Sequence, residues 1–257
     1  MTNKDPVSLL KNLKLKPQKS LGQNFLTDES ILDEILKAAQ ISQDDHILEI
    51  GPGLGILTEK LTKLAKQVTT IEIDQNLIPH LKKTFKNTTN IEIINDNALH
   101  LPPPKTPYKL VANIPYYITS PLIHHYLLQK HRPTSLTLLI QKDVAENICN
   151  KKKIPNILSL TAKLTSIPSL VKVVPPSAFH PEPKVDSAIL HLETIPKDSP
   201  NYLSLSKIQQ ILSIAKQAFA QKRKKLSNTI AYPSDKRPEH LSVQDWITVT
   251  SELSPSK

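Results

Sequence analysis

The segment Asn113-Ile114-Pro115-Tyr116-Tyr117 carries the residue types needed to make a poor nucleophile react. The exocyclic amine of an aromatic base is unreactive because its lone pair is delocalised into the ring. An amide oxygen, from Asn113, and a backbone carbonyl, from Ile114, can accept its two N–H bonds. Holding both hydrogens favours a pyramidal nitrogen whose lone pair can attack a carbon electrophile such as a methyl group. Pro115 stiffens the turn that aims the carbonyl. Tyr116 offers a ring on which an extruded base can stack, a contact worth roughly 1–3 kcal/mol. No strong general base is needed, because the proton becomes acidic once the nitrogen is alkylated. Proximity and orientation then supply most of the rate. Asn and Pro also build ordinary turns, so the reading depends on where the segment sits.

A second group of residues describes a ligand. The chain has only four glycines in 257 residues, and three of them fall in Gly51-Pro52-Gly53-Leu54-Gly55. Glycine is needed where φ is positive or where something must approach the backbone closely. A dinucleotide fingerprint wants glycines at the first, third and sixth positions, but the sixth here is Ile56, and no Lys-Ser/Thr pair follows as in a P-loop. The backbone at Gly51 and Gly53 can therefore lie close to a ligand without cradling phosphates. Glu72 follows 21 residues after Gly51, where a carboxylate can accept hydrogen bonds from both ribose hydroxyls. Asp96 can meet the exocyclic amine of an adenine. A ligand with ribose, adenine and no phosphate fits S-adenosylmethionine, and all four glycines, Gly22 included, are expected around it.

These residues must be positioned by regular elements. Residues 46–50 read as a strand ending at the glycine loop, and 56–66 as a helix with Leu57, Leu61 and Leu64 on one face. Residues 68–73, 91–94, 109–112 and 136–140 read as further strands. Helices are expected at 75–86, entered or bent at Pro79, at 120–129 with Pro121 in the first turn, and near 144–148. Upstream, Thr27 and Asp28 are N-cap candidates for a helix whose apolar face is Ile31, Leu32, Ile35, Leu36 and Ala39. Strand and helix alternate from 46 to 150, the pattern of an open α/β sheet with parallel strands and right-handed crossovers. Ligands in such a sheet bind beyond the carboxyl ends of the strands, where Gly51, Glu72, Asp96 and Asn113 would fall. Residues 158–165, 170–174 and 185–192 read as strands of an antiparallel edge. After a Pro/Asp/Ser loop, an amphipathic helix carries Ile208, Ile211, Leu212, Ala215, Ala218 and Phe219. The expected division is a catalytic sheet domain at 1–196, with residues 1–20 as a basic arm, and a small all-helical domain at 197–257.

The net charge of +10 points to a polyanionic partner. A single cysteine, Cys149, excludes an internal disulfide framework and fits a reducing compartment. No apolar run approaches the roughly 18 residues of a membrane span, and no secretory signal is evident. The expectation is a cytoplasmic chain that meets no membrane.

Taken together, these pieces resemble the ribosomal RNA adenine N6,N6-dimethyltransferases over nearly the whole chain. Gln23-Asn24-Phe25-Leu26 is similar to the family's N-terminal cofactor motif. Residues 48–55 with Leu57-Thr58 resemble its glycine loop, Ile71-Glu72-Ile73-Asp74 its ribose-binding strand end, and Asn113-Ile114-Pro115-Tyr116 its amine-binding motif. Residues 179–187, Phe-His-Pro-Glu-Pro-Lys-Val-Asp-Ser, resemble a late motif, and Phe219 to Asn228 the C-terminal signature. The resemblance implies a Rossmann-like class I S-adenosylmethionine-dependent sheet with a small helical domain. It implies cofactor contacts at Asn24, Leu26, Gly51, Glu72, Asp96 and Asn113, with Phe179 flanking the target base. It also implies transfer of methyl groups to two adjacent adenines in a hairpin near the 3′ end of small-subunit rRNA, and a late role in assembly of the immature small subunit. A monomer without a metal is expected.

Two stretches depart from the family pattern. Residues 149–158 lack the family's usual Tyr-Gly, and the third-strand motif reads Asp96-Asn97-Ala98 rather than Asp-Ala. The run Lys222-Arg223-Lys224-Lys225 is read as an RNA contact at the end of the long C-terminal helix, with Lys151-Lys152-Lys153 as a second basic run. Related antibiotic-resistance enzymes that methylate a large-subunit rRNA adenine share the Asn-Ile-Pro-Tyr motif and form the alternative. The 219–228 signature favours the small subunit.

Overall fold

A computed structural model describes residues 6–221 and 223–253. Its first elements are α1 (Pro6–Asn12), a two-residue strand β1 (Phe25–Leu26) and α2 (Glu29–Ala39). The alternating region follows as β2 (His46–Ile50), α3 (Ile56–Leu64), β3 (Gln67–Glu72), α4 (Ile78–Thr84), β4 (Ile91–Asn95), β5 (Lys109–Asn113), α5 (Thr119–Leu127), β6 (Ser135–Gln141) and α6 (Lys142–Cys149). Then come α7 (Ile157–Thr165), β7 (Ser166–Val174), the short β8 (Phe179–His180), β9 (Ser187–Thr194), α8 (Leu205–Phe219) and α9 (Val243–Leu253).

Seven strands form one sheet in the order β4-β3-β2-β5-β6-β9-β7. β2 to β6 are mutually parallel, while β9 runs antiparallel to both β6 and β7. Successive side chains on a strand point to opposite faces, and both faces here are covered. Leu48 and Ile50 of β2 join one core with Leu122, Ile123 and Tyr126 of α5. Ile47 joins the other with Ile31, Leu32 and Ile35 of α2 and Leu61 of α3. The α2 helix starts where the sequence suggests, with Asp28 Oδ1 accepting from Ser30 N at 2.9 Å. The result is a doubly wound, Rossmann-like sheet. Its chain order reverses between β2 and β5, which opens a crevice at their carboxyl ends.

Two segments differ from the expectation. Residues 158–165 form α7, not a strand. Leu158, Leu160, Ala162 and Leu164 alternate with polar residues, which imitates a strand. The helix instead buries two faces at once: Leu160 and Leu164, four residues apart, enter the C-terminal core, and Ala162 enters the sheet core. Asn156 caps it, accepting from Ser159 N at 2.8 Å. Thr161 and Thr165 turn their hydroxyls back onto helical carbonyls at 2.9 and 2.8 Å. The second difference is the basic arm. From residue 6 it is docked, with Leu10 buried against Phe25, Leu54, Leu81 and Phe85. Lys11, Lys14, Lys16 and Lys19 remain exposed.

The C-terminal helices close over a third core centred on Trp246, Phe219, Ile211 and Leu212, which also takes in Ile154. Among the described residues no helix is long and apolar enough to cross a membrane.

Candidate active site

Four parallel strands bring four of the expected residues to one edge of the sheet. Gly51 follows β2, Glu72 closes β3, Asp96 follows β4 and Asn113 closes β5. All four border a cavity of about 250 Å³. Asn24, Leu26, Gly53, Ile114, Pro115, Tyr116 and Phe179 border the same cavity. The N-terminal and late motifs reach it as a pair, since Leu26 of β1 lies opposite Phe179 of β8 in an antiparallel ladder. Thr27 N–H extends that contact to Ala178 O at 2.8 Å.

The Asn113 amide has a defined orientation. Its Nδ2 donates to Asn24 O at 3.4 Å, which turns Oδ1 the other way. Among the described residues no donor reaches Oδ1, and Asn113 borders the cavity. Tyr116 begins a short 3-10 turn in which Ile118 N–H donates to Pro115 O at 3.1 Å.

On the opposite side Glu72 is buried, 4% exposed. One of its oxygens accepts from Gly53 N at 3.0 Å and the other from Asp74 N at 2.8 Å. These bonds fix the carboxylate and the glycine loop together. Burial raises its pKa above the ordinary carboxylate value, and the two backbone bonds oppose the rise. Asp96 is more exposed and accepts from Asn97 N at 2.6 Å.

The glycines divide by role. Gly53 has φ +57°, and a Cβ there would lie 3.1 Å from the Phe25 ring, which roofs the loop. Gly55 does not border the cavity. It starts α3 at φ +79°, and a Cβ would lie 2.9 Å from Phe85. Packing, not a ligand, requires glycine at 55, which corrects the expectation of four glycines around one ligand. Gly22 does border the cavity, pressed against Pro115 and Tyr117.

Several residues inside these motifs were given no role of their own by the sequence reading. Gln23 Nε2 donates to the buried Asp74 at 2.8 Å and ties the N-terminal segment to the β3 end. Ile73, 50% exposed, offers an apolar wall beside Glu72. The signal for it was an apolar residue directly after an acidic strand end. Glu49 is 1% exposed and also borders the cavity. A lone acid inside the apolar run 47–50 was its signal. Among the described residues no lysine, arginine or histidine borders this cavity, whereas Glu49, Glu72 and Asp96 do. In a chain of net charge +10, the described residues lining it include acids and no bases.

Burial pushes the Glu49 carboxyl up to about 7; the Thr58 and Thr70 hydroxyls pull it down, and Glu72 adds to the rise. Thr58 Oγ1 donates to it at 2.7 Å. A carboxyl whose folded pKa is raised holds a proton that the unfolded chain has lost. Stability from this group is therefore full below 4.5 and falls as pH rises to about 7, by up to about 3 kcal/mol. Glu49→Gln keeps an acceptor for Thr58 and removes the ionisation. The variant should melt above the native chain at pH 8, with the gap closing towards pH 5. Parallel melting curves at both pH values would contradict this account.

The basic run lies elsewhere. Lys222 lies outside the described residues. Arg223, Lys224 and Lys225 are exposed and do not border the cavity. They stand just past the end of α8 at Phe219. Lys225 Nζ pairs with Asp235 at 2.7 Å.

Comparison with known proteins is consistent in kind. The family model described as "Ribosomal RNA adenine dimethylase" matches residues 14–252. Ribosomal RNA small subunit methyltransferase A of Dehalococcoides mccartyi is 39% identical over 230 residues, 87% of this chain and 77% of that protein. The crystal structure of a dimethyladenosine transferase from Plasmodium falciparum is similar with a TM-score of 0.72 and 33% identity, over 81% of this chain and 75% of that one. The structure of the 23S rRNA methyltransferase ErmE gives a TM-score of 0.74 at 26% identity, over 90% of this chain and 99% of that one.

Proposed function

We propose a function from one premise: this chain belongs to the ribosomal RNA adenine dimethylase family, whose model spans residues 14–252. It is an rRNA adenine N6-methyltransferase. In our reading the methyl donor is S-adenosylmethionine, and the target is two adjacent adenines in a hairpin near the 3′ end of small-subunit rRNA, in the immature subunit. The observation that carries the site assignment is the pairing of Asn113 with the carboxylate-lined cavity.

The residues present fit that donor. The cavity has no cationic side chain for a phosphate among the described residues, and its acidic lining suits a sulfonium. Glu72, held by two backbone N–H groups, keeps lone pairs for ribose hydroxyls. Ile73 and Asp96 provide an apolar wall and an acceptor for an adenine. Asn24, Leu26, Gly51 and Gly53 complete the cradle. When bound, the donor supplies an electrophilic methyl whose carbon–sulfur bond breaks, its electron pair staying on sulfur, as the nitrogen–carbon bond forms.

The chain's own residues do the remainder. Asn113 Oδ1 and the Ile114 carbonyl accept the two amine hydrogens and free the nitrogen lone pair. Pro115 holds that carbonyl's direction. Tyr116 and Phe179 flank the base, which must leave its stack to reach the cavity. The nitrogen's surplus proton passes to water.

Residues 1–196 carry this chemistry, and 197–257 contact RNA. Phosphate contacts position the substrate and make affinity salt-dependent without reading sequence. Arg223→Ala with Lys224→Ala should weaken rRNA binding and reduce the slope of log affinity against log salt by about 1–2, leaving cofactor affinity unchanged. Lys225→Ala should do less, because Asp235 already neutralises that charge. An unchanged slope in filter-binding titrations would remove this run from the interface.

The decisive assay incubates the protein with labelled S-adenosylmethionine and either unmodified small or large subunits. Mass spectrometry of the rRNA should find N6,N6-dimethyladenosine in the small-subunit arm. Label in the large-subunit arm alone would favour the alternative, the chemistry borne by the name of the ErmE structure.

A further inference from the structure

Within the seven-stranded sheet, β9 starts at the edge where the parallel strands end, because it runs the opposite way. Ser187, its first residue, lies opposite Gln141, the last of β6, and Val174, the last of β7. The position is tied to the start of α6. Asp186 O accepts from Lys142 N at 3.0 Å, and its carboxylate sits 3.3 Å from Lys142 Nζ. Ser187 is fully buried, 0% exposed. A buried hydroxyl needs a partner, and among the described residues Ser187 Oγ has one: the Tyr116 hydroxyl at 2.7 Å.

Tyr116 is thereby gripped at both ends. Its backbone starts the 3-10 turn anchored on Pro115 O, and its hydroxyl is fixed by a sheet residue 71 positions later. With only the backbone fixed, the ring could occupy several rotamers and would pay ordering entropy when a base arrives. Ser187 itself does not border the cavity, so it acts through the tyrosine.

We propose that Ser187 is a positioning residue: its hydrogen bond to Tyr116 sets the plane of the ring on which the target adenine stacks. This rests on Tyr116 being the stacking platform, as argued above. Ser187→Ala and Tyr116→Phe break the same bond from its two ends, and phenylalanine keeps the stacking face. Because Tyr116 is only half-buried, the test does not depend on the serine variant folding.

The experiment measures kcat, KM for unmodified small subunits, and the Kd of S-adenosylhomocysteine by calorimetry for both single variants and the double. Each single variant should lose about tenfold in kcat/KM. The double variant should lose no more than the larger single loss, and the S-adenosylhomocysteine Kd should be unchanged. Additive losses, or a parallel loss of S-adenosylhomocysteine affinity, would mean a general structural role and overturn the proposal. Native kcat/KM in Ser187→Ala, beside an active wild type, would overturn it alone. A wild type that methylates no adenine would overturn the Tyr116 reading first and this role with it.

Discussion

Asn113→Ala should lower the rate of adenine methylation by about 10²- to 10³-fold, the scale seen when one preorganised polar group aimed at a reacting centre is removed. The Kd of S-adenosylmethionine should move far less. The asymmetry follows from the amide's orientation. Nδ2 is engaged by Asn24 O, which in the proposed mechanism leaves Oδ1 for the base. Oδ1 accepts an amine hydrogen most strongly as the nitrogen becomes pyramidal, so its contribution appears in the transition state and not in cofactor binding. Aspartate is no substitute. It would place a second oxygen against the Asn24 carbonyl, and the repulsion would rotate the group out of line. Single-turnover rates beside calorimetric affinities check the claim. Equal losses in both would reassign Asn113 to cofactor binding alone. The same variant also separates chemistry from any assembly role: if that role depends on binding, an inactive Asn113→Ala protein should still associate with immature small subunits.

What could be read before the structure, and what could not, divides by sequence separation. Gly51, Glu72, Asp96 and Asn113 were legible because each stands at or just beyond the end of an apolar, β-rich run. A parallel sheet brings such ends to one edge whatever the loops do. The β9–β7 edge was legible in part: residues 170–174 and 185–192 read as strands, whereas β7 already starts at Ser166. α7 was not, because Leu158, Leu160, Ala162 and Leu164 have period 2 in sequence, and only a helix packed on two sides uses them all. The docking of residues 6–12 depends on Leu10 meeting Phe85 and Leu81, which no local pattern announces. Gln23 and Asp74 are 51 residues apart, and Ser187 and Tyr116 are 71 apart. Pairings of that kind come from the packed sheet and not from propensity. Gly55 taught the opposite lesson. Its place in a glycine-rich loop suggested a ligand, and the neighbouring Phe85 explains it instead.

Glu72→Ala should weaken S-adenosylmethionine binding by about a hundredfold, from the loss of two hydrogen bonds to a charged acceptor. The effect is large because the carboxylate is set before the ligand arrives. Gly53 N and Asp74 N hold its two oxygens at 3.0 and 2.8 Å, so binding orders little that was loose. Glutamine is not a neutral replacement. With one oxygen, it must turn its amide nitrogen towards one of those two N–H groups, so the loop is disturbed in either orientation. A pH dependence follows from the same burial. The Glu72 pKa is raised, so in the free protein the carboxyl takes a proton at a higher pH than an exposed carboxylate would. The protonated group cannot accept from both ribose hydroxyls. Affinity should therefore be full above that raised pKa and fall as pH drops through it, with proton release on binding within the window. Calorimetry in buffers of differing ionisation enthalpy measures both quantities. Melting of the ligand-free variant distinguishes a lost contact from a lost fold. If Glu72→Ala melts like the native chain and binds S-adenosylmethionine as tightly at every pH, the ribose does not sit at the end of β3.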